Sequence, residues 1–319
     1  MGPSKPVDRD FTIALPKVEL HAHLNGSTSR QCLHELWKRK KYINPDCSIT
    51  DPLVMMPPDK VDYTLQTSAT TWKVSHTPRT AYWKTSAPTE FATSRFAAIP
   101  REFHGKTRAE YLSTVLDVFS AFQARNAEMS VFLIVALDRG HTTAAEAMDL
   151  VHLAIANRER GVVGVDLCGD PTKGDVTMYR DAFAHAKAHG LGLTVHFAET
   201  PVSGTRRELD ALLDFRPDRL GHVIHVPEDI KEEIVRLRLG LELCMSCNVH
   251  GQLIEGGTDD VGFFCSPVSN EYLLAAQHFG IDRAGLVRIC EKSVDMIFGG
   301  NDEKNRLHRL LTDFKRSDA

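Results

Sequence analysis

The second half of the chain alternates between short apolar runs and amphipathic segments, and this alternation constrains the fold more than any other feature. The run VFLIVAL at 131–137 is continuously apolar, as is typical of a parallel strand buried on both faces. Comparable runs follow at 161–170, 191–200, 218–226 and 239–248, with helix-like segments between them. A parallel sheet covered by helices is therefore predicted, either as a barrel or as an open, doubly wound sheet.

The predicted helices carry their own start and stop signals. Thr143 and Glu146 have the spacing of a capping box, and Gly161 ends the helical pattern that they open. Amphipathic helices are also predicted over 107–123 and about 302–315. No G-x-G-x-x-G motif follows an apolar run, which excludes the dinucleotide-binding form of the open sheet.

Residues 42–105 depart from this regular pattern. Ser, Thr and Pro dominate there, and neither a helical nor a strand period persists. A long segment of this kind is uncommon inside a compact domain. We predict one domain over residues 1–319, of class α/β, with an irregular segment at 42–105.

The composition argues against polyanionic and membrane partners. The 319 residues carry a formal net charge of −4 and no basic stripe, so a nucleic acid polymer is not an expected partner. A mononucleotide needs only a few donors and stays possible. No apolar run reaches the length of about 18 residues that a membrane span needs. Seven scattered cysteines and no apolar leader indicate reduced thiols, and we expect a cytoplasmic monomer.

Histidines and acids stand at the ends of several predicted strands. His21 and His23 are two residues apart and would share one face of a strand. His196 and His222 end two further strands, and Asp259 follows a later apolar segment. Taken singly, the histidines could be surface or half-buried side chains, and Asp259 with its neighbour could form a solvated turn.

Taken together, these positions favour a metal site. In a parallel barrel, the C-terminal ends of all strands meet on one face, where barrel enzymes keep their active sites. Three imidazoles and a carboxylate suit Zn²⁺, which leaves a position for water. Such a metal lets water act as a nucleophile near neutral pH, and Glu199 beside it could donate a proton.

Five motifs in this order resemble the adenosine deaminase family of zinc aminohydrolases. They are VELHAHLNGS, VVGVDLCGD, HFAET, RLGH and TDDVGFFCSPVSNEYLLAA. The resemblance covers residues 11–35 and roughly 107–300. It implies a (β/α)8 TIM-type barrel that holds one Zn²⁺ per chain and deaminates purines by hydrolysis.

The resemblance also implies a role for each matching residue. Glu199 is expected to protonate purine N1, and His222 to orient and deprotonate the attacking water. The expected contacts to the purine are Asp260 at N7 and the backbone of Gly169 at N3. His21, His23, His196 and Asp259 are the expected zinc ligands, with His23 also facing the substrate.

The HLNGS motif is similar to the adenosine deaminase-like branch, whose members act on N6-methyl-AMP. Adenosine deaminases proper carry Asp where this chain has Asn25, and a carboxylate there would repel a 5′-phosphate. Thr77 and Arg79 resemble the Thr-Pro-Arg that ends the family's second strand, and Arg79 could contact the phosphate. The expected reaction turns N6-methyl-AMP, or a related N6-substituted purine nucleoside monophosphate, into IMP and an amine.

Two segments depart from the family pattern. The run LQTSATTWKVSH is too polar for the second barrel strand, and little apolar sequence precedes Asp259 to build the eighth. We therefore expect damage at strand 2 and at strand 8. Both departures bear on whether this chain is active.

Other functions stay open on the sequence. The chain could deaminate free adenosine, or it could be an inactive barrel that binds a ligand. A third hypothesis rests on Cys244 and Cys247, which have C-x-x-C spacing, with His250 nearby. Cysteines with this spacing can bind a metal or be redox-active. No second C-x-x-C motif completes such a site.

Overall fold

The fold is taken from a computed structural model that describes residues 5–24, 26–55, 91–102, 105–244 and 267–318. The chain divides into two compact units. The first unit contains Met1–Leu15, Ala22–Phe91 and Cys244–Val287, and the second contains Pro16–His21, Ala92–Leu243 and Arg288–Ala319.

The second unit is built on a seven-stranded sheet whose strands lie side by side in chain order. The pairs from the second strand to the seventh are all parallel. The strands are β1 (Lys17–His23), β2 (Phe91–Ala98), β3 (Ser130–Asp138), β4 (Val162–Cys168), β5 (Gly192–Phe197), β6 (Arg219–His222) and β7 (Gly240–Glu242).

The two ends of this strand order meet, so the sheet forms a nearly closed barrel. His21 Nδ1 of β1 lies 2.6 Å from Glu242 Oε2 of β7. Arg219 Nη2 of β6 lies 3.5 Å from the carbonyl oxygen of Leu20. Parallel sheets are usually buried on both faces. The apolar run of β3 agrees with this, since each residue from Leu133 to Leu137 is at most 2% exposed. The predicted barrel class is confirmed.

Helices connect the strands, and one of them begins at the predicted capping box. The Thr143 and Glu146 pair forms a complete capping box, as predicted, and Thr107 with Glu110 forms another. The helices in chain order are α1 (Arg9–Ala14), α2 (Arg30–Ile43), α3 (Pro52–Met55), α4 (Arg108–Gln123), α5 (Ala144–Ala156), α6 (Arg180–Ala188), α7 (Arg206–Asp214), α8 (Glu228–Leu237), α9 (Val268–Phe279), α10 (Arg283–Asp295) and α11 (Asn301–Asp318). Within the described ranges, none of them has the length and apolar character to cross a membrane.

Contacts within the first unit tie the chain's beginning to α10. Arg283 donates to the carbonyl oxygen of Pro6 at 2.8 Å, and its guanidinium lies 4.5 Å from the centre of the Phe11 ring. A second set of contacts fixes the segment after α2, where His34 pairs with Asp51 at 2.7 Å.

The expectation of an irregular segment over the whole of 42–105 is wrong at β2. The residues of Phe91–Ala98 pair with β3 along six consecutive positions. Thr93 and Arg95 conceal this strand from a hydrophobicity pattern, because they are polar yet fully buried. Arg95 is accommodated by hydrogen bonds to the Phe298 carbonyl oxygen at 3.0 and 3.1 Å. Strand 2 is therefore intact.

The end of the second strand is also misplaced in the sequence prediction. The sheet neighbour of β3 ends at Ala98 and leads to Pro100 and Arg101, so it does not end at Thr77 and Arg79. The arginine at that strand end is Arg101. The expected damage at strand 8 falls on residues outside the described ranges.

Candidate functional site

Three histidines from three strands meet at one place in the second unit. His21 lies in β1, His196 in β5 and His222 at the end of β6. Their ring centres are 4.7 to 5.2 Å apart, and one ring nitrogen from each lies within 4.8 Å of the others. The sequence predicted this convergence, because parallel strands present their C-terminal ends on one face.

A buried carboxylate orients the ring of His21. Glu242 accepts from His21 Nδ1 through Oε2, while its Oε1 accepts from Arg219 Nε and from Thr194 Oγ1. Burial alone would raise the pKa of Glu242. The charge of Arg219 and the hydrogen bond from His21 outweigh burial and lower that pKa to about 2. Glu242 is therefore ionised at neutral pH.

A second carboxylate orients His196 in the same way. Asp166 lies in the middle of β4, is 2% exposed, and places Oδ1 3.2 Å from His196 Nδ1. With Nδ1 on a carboxylate, Nε2 is the nitrogen that either ring offers to a metal. Carboxylate–histidine pairs of this kind are the usual outer support of zinc-binding imidazoles.

The arrangement fits a transition metal. Two nitrogens bound to one tetrahedral Zn²⁺ are about 3.4 Å apart, and imidazole is among its preferred ligands. The ring nitrogens of His21 and His196 lie within 4.8 Å of one another, so small side-chain movements would let both bind one ion, and His222 lies within the same distance of them. The donor set is thus chemically suited to Zn²⁺.

Glu199 lies beside the histidine cluster on a strained backbone. Its Oε1 is 4.0 Å from His222 Nε2, and its side chain is 19% exposed. Ala198 (φ 51°), His222 (φ 66°) and Val223 (φ 59°) adopt left-handed conformations that side chains disfavour. Such strain concentrates at functional sites, and here it sets the directions of Glu199 and His222.

Gly169 follows β4 directly and takes a conformation that only glycine adopts without strain. Its φ is 100°, and a Cβ there would come within 2.5 Å of Asp138 Oδ1. The backbone of Gly169 therefore approaches the end of β3 closely. The predicted contact of this backbone with purine N3 stays a prediction.

The remaining predicted residues are His23, whose roles are not tested by the cluster, and several residues outside the described ranges. His23 is the last residue of β1, and its carbonyl oxygen accepts from Ser27 N at 2.9 Å. The roles of His23 as ligand and substrate contact stay predictions. Asn25, Thr77, Arg79, Asp259 and Asp260 lie outside the described residues, as do Cys247 and His250 of the C-x-x-C reading.

Sequence reasoning missed the residues that support the histidines. Asp166 and Glu242 are single acids inside otherwise apolar strands, VVGVDLC and LGLELC. A carboxylate that is buried in such a run needs a hydrogen-bonding or charged partner. The isolated acid in each strand was therefore the sequence signal for these residues. No sequence signal marked Arg219 as a supporting residue, apart from its place at the start of the RLGH motif.

Several known deaminases resemble this chain. A family model described as adenosine deaminase matches residues 87–256, more than half of the chain. The N6-methyl-AMP deaminase of Homo sapiens is 29% identical and covers 98% of this chain and 96% of its own length. The N6-methyl-AMP deaminase of Danio rerio is 30% identical, with 96% and 97% covered.

A solved structure shares the fold. The Arabidopsis ADAL protein complexed with GMP superposes with a TM-score of 0.83 and 25% identity. It covers 95% of this chain, and 98% of that protein is matched. The structural similarity therefore extends over most of the chain.

Proposed function

Because the chain belongs to the adenosine deaminase family, we propose that it deaminates N6-methyl-AMP, or a related N6-substituted purine nucleoside monophosphate, to IMP and an amine. Full-length relatives that carry the N6-methyl-AMP deaminase name support this substrate. The GMP complex of the Arabidopsis protein supports a site for a purine nucleoside monophosphate. Asn25, in place of a carboxylate, agrees with a 5′-phosphate.

The observation that carries the proposal is the histidine cluster with Glu199 beside it. A metal-binding set and a proton donor stand together at the C-terminal ends of β5 and β6. Hydrolytic deamination needs a nucleophilic water on one side and an acid for the ring nitrogen on the other. The cluster supplies both requirements from described residues.

We assign the metal as one Zn²⁺ per chain, held by His21, His196 and the predicted ligands His23 and Asp259. When bound, Zn²⁺ supplies the Lewis acidity that makes water nucleophilic at neutral pH. Glu242 and Asp166 hold the proton of Nδ1 on their histidines, so that Nε2 carries the lone pair. Imidazole donors favour Zn²⁺ over Mg²⁺ or Ca²⁺.

We assign the proton movements to Glu199 and His222, in the roles that the family resemblance implies for them. Glu199 donates a proton to purine N1, which makes C6 more electrophilic as water adds to it. His222 orients that water and accepts its proton. His222 then returns that proton to the exocyclic nitrogen, the bond from C6 to this nitrogen breaks with its electron pair on nitrogen, and methylamine leaves. The C6 hydroxyl gives its proton to Glu199, which restores the acid and leaves IMP with a carbonyl at C6.

The test is a comparison of N6-methyl-AMP, AMP, adenosine and N6-methyladenosine as substrates of the zinc-loaded protein. Formation of IMP and methylamine from N6-methyl-AMP, with little turnover of the nucleosides, is the expected result. Turnover of adenosine without turnover of the monophosphates would establish the alternative activity. A zinc-loaded protein that turns over none of the four would be an inactive member of the family.

A further inference from the structure

Arg219 connects the support of His21 to the opposite ends of the strands. It is the first residue of β6 and is 0% exposed. Its Nε donates to Glu242 Oε1, and its Nη1 donates to the carbonyl oxygen of Met296 at 3.1 Å. A buried guanidinium with these partners is held in one orientation.

The Met296–Phe298 segment (residues 296–298) forms a plug against the N-terminal ends of the strands. The ring centre of Phe298 lies 3.6 Å from Arg219 Cζ. A Cβ on Gly192, the first residue of β5, would come within 2.3 Å of this ring, and one on Gly164 within 2.7 Å. The ring therefore occupies space that only glycine leaves open.

The plug is held independently of Glu242. Arg95 of β2 donates Nε and Nη2 to the Phe298 carbonyl oxygen at 3.1 and 3.0 Å. Two buried arginines thus contact the same segment from different strands. Of the two, Arg219 is the one that also donates to Glu242.

The two oxygens of the Glu242 carboxylate contact different partners. Oε1 accepts from Arg219 Nε and from Thr194 Oγ1, the latter at 3.0 Å. Oε2 is 2.6 Å from His21 Nδ1. Fixing Oε1 therefore fixes the direction from which Oε2 meets His21.

We propose that Glu242 and Arg219 are positioning residues that set the metal affinity of His21. This inference rests on the metal site of the proposed function. A carboxylate on Nδ1 fixes the tautomer that presents Nε2 and makes the imidazole a better ligand. Loss of such a partner weakens metal binding about 10- to 100-fold in comparable sites.

The decisive experiment compares Arg219→Lys with its matched control, Arg95→Lys. Both variants replace a buried arginine that touches the plug, so both should lower the melting temperature. Zinc affinity, measured by competition with a chelator, should fall about 10- to 100-fold for Arg219→Lys and less than threefold for Arg95→Lys. Equal losses in the two variants would overturn the assigned role of Arg219.

Glu242→Gln tests the carboxylate itself without changing its size. We expect the same range of affinity loss, together with a changed visible absorption spectrum after Co²⁺ replaces Zn²⁺. If Glu242→Gln does not fold, Thr194→Val removes one contact to Oε1 and should weaken zinc binding by a smaller factor.

The outcomes separate this inference from the proposed function. A wild-type chain that binds one zinc, with Glu242→Gln and Arg219→Lys binding it equally well, overturns the inference alone. A wild-type chain that binds no zinc after reconstitution overturns the proposed metal site, and this inference falls with it.

Discussion

Two carboxylates decide which nitrogen His21 and His196 present at the histidine cluster. Glu242 and Asp166 are 4% and 2% exposed, so each must be paired to be tolerated inside the sheet. Each is paired with Nδ1 of a histidine, so that Nε2 is the nitrogen the ring offers to a metal. At the scale of single residues, the chemistry therefore depends on side chains that are not themselves ligands.

Glu199→Gln separates proton donation from metal binding. The amide keeps the size of the side chain but cannot give a proton to the purine. We expect zinc content to stay at the wild-type value while kcat falls about 10²- to 10⁴-fold, the usual contribution of a general acid. Steady-state kinetics with N6-methyl-AMP and metal analysis of the same sample measure both quantities.

Glu228→Gln is the control for this substitution, since Glu228 is an exposed residue at the start of α8 and is 77% exposed at its side chain. Its kcat should equal that of the wild type. Wild-type turnover by Glu199→Gln would remove Glu199 from the mechanism.

Gly169→Ala should destabilise the fold more than Gly161→Ala. The two glycines have similar φ values, 100° and 106°, so both alanines meet the same backbone penalty of about 1–2 kcal/mol. Around Gly161 there is nothing within 4 Å of a Cβ, whereas at Gly169 the Cβ meets Asp138 Oδ1. Overpacking adds roughly 1–3 kcal/mol at Gly169. Urea unfolding of both variants gives the difference, and equal values would contradict the close approach.

At the scale of the elements, helix ends are fixed by local capping. Thr143 and Glu146 satisfy each other's backbone N–H groups at the start of α5. The same helix buries Ala147, Leu150 and Val151. Local capping and one apolar face together place α5, which is why the sequence predicted its start.

Thr143→Ala removes the cap of α5 and should lower the free energy of unfolding by about 0.5–2 kcal/mol. Chemical denaturation at neutral pH measures the loss. Thr172→Ala is a control, because Thr172 lies in a turn outside any helix and donates to Asp170 within the same loop. A neutral result for Thr143→Ala would show that packing alone holds this helix end.

Glu146, the capping partner of Thr143, should make the stability of the fold depend on pH. The hydrogen bond from Thr143 N, followed by that from Arg108, lowers the pKa of Glu146 from 4.5 to about 2. A lowered folded-state pKa gives stability that is present above pH 4.5 and is lost as the pH falls towards 2. The stability difference between wild type and Glu146→Gln should therefore shrink between pH 5 and pH 3. Denaturation at several pH values checks this, and a constant difference would contradict it.

At the scale of the whole molecule, the site depends on strands that are far apart in the sequence. β1 and β7 meet through His21 and Glu242, which are 221 residues apart. A metal held by His21 of β1 and His196 of β5 therefore stabilises the folded sheet relative to the unfolded chain.

Metal removal should accordingly lower the melting temperature. A ligand present at 100 times its dissociation constant adds about 2.7 kcal/mol to the stability of a protein that binds it only when folded. We expect chelator treatment to remove this increment, Zn²⁺ to restore it and Mg²⁺ to leave it lost, since imidazole ligands suit zinc. Differential scanning calorimetry of the three samples measures the effect. A melting temperature that does not respond to Zn²⁺ would contradict a structural contribution of the metal.

Part of this molecule was open to prediction because its signals are local. The apolar runs of β3 to β7, the capping box of α5 and the strand-end positions of His196 and His222 can be read from neighbouring residues. The motif set also indicated the family before any contact was known. Periodicity and capping act over a few residues, so the sequence states them directly.

Long-range contacts decided what the sequence alone left wrong or unseen. The strand β2 is polar at Thr93 and Arg95, and it is a core strand because the Phe298 carbonyl oxygen, 203 residues from Arg95, accepts the buried guanidinium. In the sequence, Glu242 is a single acid within an apolar run. Its contact with His21 exists because the folded sheet brings β1 and β7 together. The sequence determined the strands β3 to β7, the helices between them and where the histidines stand along the strands. The tertiary structure decided which buried charges are paired, because that depends on partners that folding alone brings together.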